Sequence, residues 1–227
     1  MKNSEEDMRR SQDELGAGSS ALLVGDLAAA EAHFRAALKL DAGLVEAWER
    51  LGHCLRAQNN LEEACTCFEQ AVELDPTSPY GRLGLGHVLD DLGRDEEAER
   101  VFRDVAESNP APIVLSHFGD FLATKGRLAE AEEYLKRALR TDGGYVPALR
   151  YYGTLLSALD RDEEAEEVLR RALRLDPDGQ HTLYALGRFL SQFPGKRNQA
   201  LDLLLRAAKA GDPRAVAVIE ELTDHDG

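Results

Sequence analysis

No run of apolar residues in this 227-residue chain approaches the roughly 18 needed for a helical membrane span. The first twenty residues lack an apolar core, so no secretory leader is expected, and the expectation is a soluble, cytoplasmic protein without membrane insertion. Cysteine is scarce: Cys54, Cys65 and Cys67 are odd in number and contain no Cys-x-x-Cys. That argues against a disulfide framework and a structural zinc site, and for free thiols. Basic charge is also short. The 27 lysines and arginines against 42 acids leave a formal charge of −15, which disfavours nucleic acid and anionic membranes as partners. Catalytic signatures are missing as well. There is no phosphate-binding Gly-x-x-x-x-Gly-Lys and no His-Glu-x-x-His, and the glycines at 16 and 18 precede no βαβ pattern. No catalytic residue, cofactor or metal is therefore assigned, and the chain is expected not to be an enzyme.

What is present is a beat. Gly18, Gly52, Gly86, Gly119, Gly153 and Gly187 recur at intervals of 34, 34, 33, 34 and 34 residues. Ala30, Ala64, Ala98, Ala131, Ala165 and Ala200 keep the same phase at 34, 34, 33, 34 and 35. Four residues after each alanine stands Phe34, Phe68, Phe102, Leu135, Leu169 or Leu204, and three further on a small residue such as Ala37 or Ala71. Spacings of four and three mark one face of an α-helix. Trp48, Leu115, Leu149 and Leu183, with the residue just before each column glycine, mark another helix upstream. Each period therefore encodes two helices.

Turn formers separate the two helices in phase: Gly25, Asn59, Gly93, Gly126, Asp160 and Gly195. Pro76, Pro110 and Pro177 close the unit, where proline stops one helix and is tolerated before the next. A fixed period of this length means stacked helical hairpins, and function on an extended surface.

These residues resemble the tetratricopeptide repeat (TPR) family. Repeat two fits best, through Trp48, Leu51, Gly52, Ala64, Phe68, Ala71 and Pro76, with Leu55 where tyrosine is usual. The repeats run over 11–44, 45–78, 79–111, 112–145, 146–179 and 180–212. They are flanked by polar tails, 1–10 and 224–227, and by a capping helix over 213–223 with Ala215, Val216, Ile219 and Leu222 as its apolar stripe. The resemblance implies an all-α fold, an α-solenoid in which antiparallel hairpins stack into a right-handed superhelix. It also implies that the first helix of each hairpin lines a concave groove, and that the protein is an adaptor or scaffold holding a segment of another protein there.

On that implication the groove candidates are positions that keep the phase but not the identity: Glu49, His53, Arg56, Tyr80, Leu83, His87, Asp90, Asp120, Arg150, Tyr184 and Arg188. Cations in an acidic protein, together with tyrosines and leucine, suit a peptide carrying acidic or aromatic side chains. The lysine, asparagine and arginine clamp with which some TPR proteins hold chaperone C-terminal tails is not evident, since its sites fall on Leu15, Ser19, Glu49 and His53. Two alternatives stand beside the adaptor. One is a structural subunit assembling through its outer or terminal faces. The other is a ligand- or metal-sensing module, because His53, His87 and Asp120 share one phase and are residue types that bind transition metals.

Three further features carry expectations. Glu62-Glu63, Glu96-Glu97, Glu132-Glu133 and Glu163-Glu164 open second helices, where acids complement the helix dipole. Gly81, Gly84 and Gly86 lie inside one first helix and read as close packing at Gly86 with tolerated softness, or as a hinge or a place where a ligand backbone approaches the helix. The single 33-residue interval falls at Asn109-Pro110-Ala111-Pro112, where departure from regular stacking is expected.

Overall fold

The computed structural model describes residues 5–224, and among these the chain is all-helical, with thirteen α-helices, one short 3-10 turn and no strand. It divides at Asn109 and Pro110 into two compact units, at the 33-residue interval. The first unit contains three hairpins: α1 (Glu5–Leu23) with α2 (Leu27–Leu40), α3 (Val45–Ala57) with α4 (Leu61–Leu74), and α5 (Pro79–Asp91) with α6 (Asp95–Ser108). The second contains α7 (Pro112–Thr124) with α8 (Leu128–Thr141), α9 (Val146–Ala158) with α10 (Asp162–Leu175), and α11 (Gln180–Leu190) with α12 (Arg197–Lys209). It ends in a single helix, α13 (Arg214–Asp224), packed on α12 and α11.

Two expectations about the ends are revised. Helix α1 begins at Glu5, inside the segment read as a polar tail, because Glu5, Glu6 and Asp7 fill its first turn and complement the dipole there. Residues 1–4 and 225–227 lie outside the described residues. On α13 the buried positions are Ala215 and Val218, with Ile219 and Leu222 half-buried, while Val216 is 48% exposed. The stripe thus follows i, i+3, i+4, i+7 from Ala215, and Val216 falls outside it.

The two columns of the beat meet inside each hairpin. A β-carbon built on Gly18, Gly52 or Gly86 would come within 2.5, 2.8 or 2.7 Å of the ring of Phe34, Phe68 or Phe102. On Gly119, Gly153 and Gly187 it would come within 2.7, 2.6 and 2.9 Å of Leu135, Leu169 and Leu204. Each bulky residue is fully buried or nearly so, and burying such a side chain contributes roughly 1.5–3 kcal/mol. The glycine is what lets the facing helix approach closely enough to cover it.

The cluster Gly81, Gly84, Gly86 resolves into packing. A β-carbon on Gly84 would lie 2.1 Å from Phe68, so α5 rides on the buried ring of the preceding hairpin while Gly86 rides on its own. Gly81 faces Ala71 at 3.3 Å. One helix is thereby pressed against two rings.

Five of the six hairpin turns place their column residue at positive φ: Gly25, Gly93, Gly126, Asn59 and Asp160. Gly195 departs, since the inserted residue there folds the loop into a 3-10 turn over Pro194–Lys196. Between hairpins a further column emerges that the repeat pattern alone did not flag. The Asp41, Asp75 and Asp142 carboxylates accept backbone N–H bonds from Gly43, Thr77 and Gly144 at 3.0, 2.9 and 2.8 Å, forming the local side-chain turns that aspartate favours. Part of the acidic excess is therefore loop structure. At the second helices the acids also pair across one turn, as Arg94 with Glu97, Arg127 with Glu130 and Arg161 with Glu164 at 2.6–2.7 Å, although exposed pairs of this kind contribute little.

Close packing at Gly84 predicts opposite outcomes for two glycine-to-alanine changes. Gly84→Ala should lower stability by about 1–3 kcal/mol through overpacking against Phe68. Gly16→Ala, on an exposed helical site with nothing within 4 Å, should raise it by about 0.5–1 kcal/mol through helix propensity. Urea unfolding followed by circular dichroism measures both; equal effects would refute the packing account.

Candidate partner-binding groove

In the first unit the candidate residues are mostly engaged with their own surroundings. His53 stands edge-on to Phe68 with ring centroids 4.9 Å apart, and His87 edge-on to Phe102 at 5.1 Å. Although one side of His53 is open to solvent, the apolar wall behind it, then the Arg56 and Arg50 charges, hold its pKa below the ordinary imidazole value. Arg56 pairs with Asp91. The Glu49 carboxylate accepts a hydrogen bond from the Ser78 hydroxyl at 3.1 Å, while burial raises its pKa. Leu83 is only 5% exposed and belongs to the core, contrary to its expected place in the groove, whereas Tyr80 is 56% exposed. A leucine at this position is too short to reach beyond the packed helices; the longer Arg150 and Tyr184 at the equivalent position remain half-exposed.

The ligand- or metal-sensing alternative concerns His53, His87 and Asp120. Among the described residues no group of three histidine, cysteine, aspartate or glutamate side chains lies close enough to hold a metal ion. The three cysteines are free and buried, and burial pushes the Cys65 thiol up to about 11 and the Cys67 thiol up to about 12.

The second unit is different, because its first helices and α13 enclose a groove of about 510 Å³. Asp120 enters it from α7, and Arg150 with Tyr151 and Thr154 from α9. Tyr184, Arg188 and His181 enter from α11, and Arg214 from α13. Of the sequence candidates it brings together Asp120, Arg150, Tyr184 and Arg188 on one surface. Leu169 and Phe189 supply apolar wall.

Two arginines sit over aromatic rings. The Arg150 guanidinium sits 4.8 Å from the Tyr151 centroid and that of Arg214 4.2 Å from Tyr184, both within cation–π range. Burial, then the Asp120 charge, raises the Tyr151 phenol, which stays neutral in ordinary solution. Beneath Arg214 lies Asp212, 1% exposed. Its Oδ1 accepts from the Arg214 backbone N–H at 3.1 Å and from Nε at 3.0 Å, and its Oδ2 accepts from a guanidinium nitrogen at 2.6 Å. His181 Nδ1 lies 3.1 Å from the same Oδ2, so the tautomer protonated at Nδ1 satisfies the carboxylate. Burial alone would raise the Asp212 pKa, but the bonds from Arg214 and His181 outweigh it and the net shift is downward.

Column reading missed Arg214, which lies beyond the last full repeat and has no equivalent to reveal a phase, and Asp212, which closes the last repeat outside the variable columns. Tyr151 was missed because it stands one position off the variable columns.

Paired helices stacked around a grooved surface define the class: a helical-repeat protein. Tetratricopeptide repeat models match residues 45–78, 83–146 and 122–186, together more than half of the chain. The chain belongs to the tetratricopeptide repeat family, whose members generally mediate protein–protein interactions. Among similar proteins, the probable UDP-N-acetylglucosamine-peptide N-acetylglucosaminyltransferase SPINDLY of Hordeum vulgare is 28% identical over 150 residues, covering 60% of this chain and 16% of that protein. The structure of the APC/C hetero-tetramer Cut9-Hcn1 superposes with a TM-score of 0.73 at 16% identity, over 96% of this chain and 43% of the matched one. Yeast Tom70 gives 0.67 at 21% identity, over 87% and 43%. At these identities the structural likeness is one of fold alone, and this chain corresponds to less than half of each protein. Among the described residues no helix is long and apolar enough to cross a membrane.

The buried Asp212 network predicts that Asp212→Asn destabilises the C-terminal hairpin and α13 by about 3 kcal/mol at neutral pH, since one partner of a buried pair is lost. A carboxylate whose folded pKa is depressed contributes fully above its unfolded value and loses that contribution as pH falls through the folded one. The gap between wild type and variant should therefore narrow only below about pH 4. Amide hydrogen exchange of α13 at pH 7 and at pH 3.5 measures it; a pH-independent gap would count against the network.

Proposed function

We propose that this protein is a non-catalytic adaptor that binds a peptide segment or helix of a partner protein, and that the groove of the second unit is its principal contact surface. One observation carries the reading: four residues selected only because they vary within a conserved phase, Asp120, Arg150, Tyr184 and Arg188, line a single groove of about 510 Å³. A groove of apolar wall with a few convergent polar groups is the usual form of a binding site, and arginine and tyrosine dominate the energetics of protein interfaces. The family supports the class of function, and the partner's chemistry follows from the lining: acidic or aromatic side chains. Three free, buried thiols support action in a reducing compartment, the cytoplasm. The acidic surface disfavours nucleic acid as the partner.

A random peptide library displayed on phage, panned on the immobilised protein, tests this reading. Selected peptides should lose more than about tenfold in affinity when Arg150→Glu and Tyr184→Ala are combined. Unchanged binding would remove the groove assignment. A molar mass that rises with concentration and ignores the same double change would favour the assembly subunit instead.

A further inference from the structure

We propose that α12 and α13 form a docking site for an amphipathic helix of a partner protein, one that carries a lysine or arginine in the middle of its apolar face. This surface is distinct from the groove residues and goes beyond the reading above. The glycine column lapses at α13, but the helix cap restores the register. Asp212 Oδ1 accepts from the backbone N–H two residues on at 3.1 Å, as Ser78 Oγ does ahead of α5 at 3.3 Å. Pro213 follows Asp212 as Pro79 follows Ser78. Counted from the caps at Ala111, Tyr145, Gly179 and Asp212, Val216 stands where Leu115, Leu149 and Leu183 stand, and Glu220 where Gly119, Gly153 and Gly187 stand. Those leucines are at most 2% exposed within complete hairpins, whereas Val216 is 48% exposed. Among the described residues, α13 is thus a first helix without a second.

The stack itself says what shape fits there. Each second helix meets the next hairpin through two columns of charge: Glu132 pairs with Arg161 and Glu166 with Lys196, while Arg35 reaches Glu63 at 2.7 Å and Arg170 reaches Gln199 at 3.3 Å. On α12 these two columns hold Leu201 and Leu205, and Leu205 is 57% exposed. A terminal repeat is expected to turn a polar face outward. Here the positions that look toward a following helix exchange charge for leucine, which suits a helix laid into an apolar seat. Glu220 narrows the occupant further. In complete hairpins the column glycine lets the facing helix bury a phenylalanine or leucine; a glutamate there excludes such a side chain and pairs with a cation. The seat therefore fits apolar residues against the leucines at one end and Val216 at the other, with a basic residue between. A chain of net charge −15 also draws a basic helix toward it.

Three lactam-stapled helical peptides test the site by methyl NMR titration of the full chain. Each has 14 residues, the length of α4, α6, α8 and α10, and leucines along one face. They differ only at the central position that meets Glu220, which is lysine, alanine or glutamate. Saturable shifts at Leu201, Leu205 and Val216 are expected, with the lysine peptide binding about tenfold tighter than the glutamate peptide. Glu220→Lys should invert that order. Leu201→Glu combined with Leu205→Arg, which restores the charges of the inner repeats, should weaken the lysine peptide about tenfold or more with the helical circular dichroism unchanged. Arg150→Glu with Tyr184→Ala should leave this binding intact, so failure of the groove and failure of this site are told apart. Equal affinity for the three peptides, shifts confined to the groove, binding that survives the paired leucine changes, or no saturable shift would overturn the proposal. A molar mass that doubles with concentration, and is restored to the monomer by the same leucine changes, would overturn the partner helix in favour of a second copy of this chain.

Discussion

The close approach of two helices at one glycine is the constraint on which the rest of this structure depends. In every hairpin a column glycine stands where a β-carbon would come within 3 Å of the buried phenylalanine or leucine of the facing helix. Remove that gap and the helices must separate, the ring loses its cover, and the next hairpin loses the surface it stacks upon. A well-packed interior resists such changes because dispersion contacts fall away steeply with separation. At Gly84 the same device works between hairpins, with Phe68 packed between Gly52 of its own hairpin and Gly84 of the next. One ring thus holds two interfaces.

Packing this strict frees the remaining positions. Once the glycine, alanine and bulky columns fix the hairpin, first-helix residues pointing away from that contact can differ from repeat to repeat without cost to the fold. In the first unit that freedom is largely spent locally, on Glu49 with Ser78, Arg56 with Asp91, and histidine rings against phenylalanines. In the second it leaves aromatic faces, arginines and a concavity together. Charge follows the same division. Acids at the turns and helix starts satisfy backbone N–H groups and neighbouring arginines, whereas the groove sets Arg150, Arg188 and Arg214 beside Asp120.

The sequence made some parts of this legible and hid others, for physical reasons. Helices, turns and packing columns were readable because sixfold repetition averages out local noise: Asn59 and Asp160 were placed in turns by phase alone, and both adopt positive φ. Leu83 was misplaced because phase gives a direction from the helix axis but not the reach of a side chain relative to its neighbours. Val216 was misplaced, and Arg214 overlooked, because α13 has no repeat partner against which to compare them. The loop aspartates at 41, 75 and 142 were visible as a column, yet their significance depends on which backbone N–H groups fold back toward them.

By itself the sequence determined the hairpin, its period, its buried columns and the family to which the chain belongs, because these follow from local spacing repeated many times. The tertiary structure decided which of the variable residues share a surface. Arg150, Arg188 and Arg214 are distant in sequence and belong to three different helices, and only packing of those helices brings their guanidiniums to one groove. It also decided that a residue beyond the last repeat takes part, since the buried Asp212 carboxylate turns the start of α13 inward and holds Arg214 over Tyr184. Periodicity specifies what each repeat has in common; the site is made of what the repeats do not share, and three-dimensional contact alone assembles it.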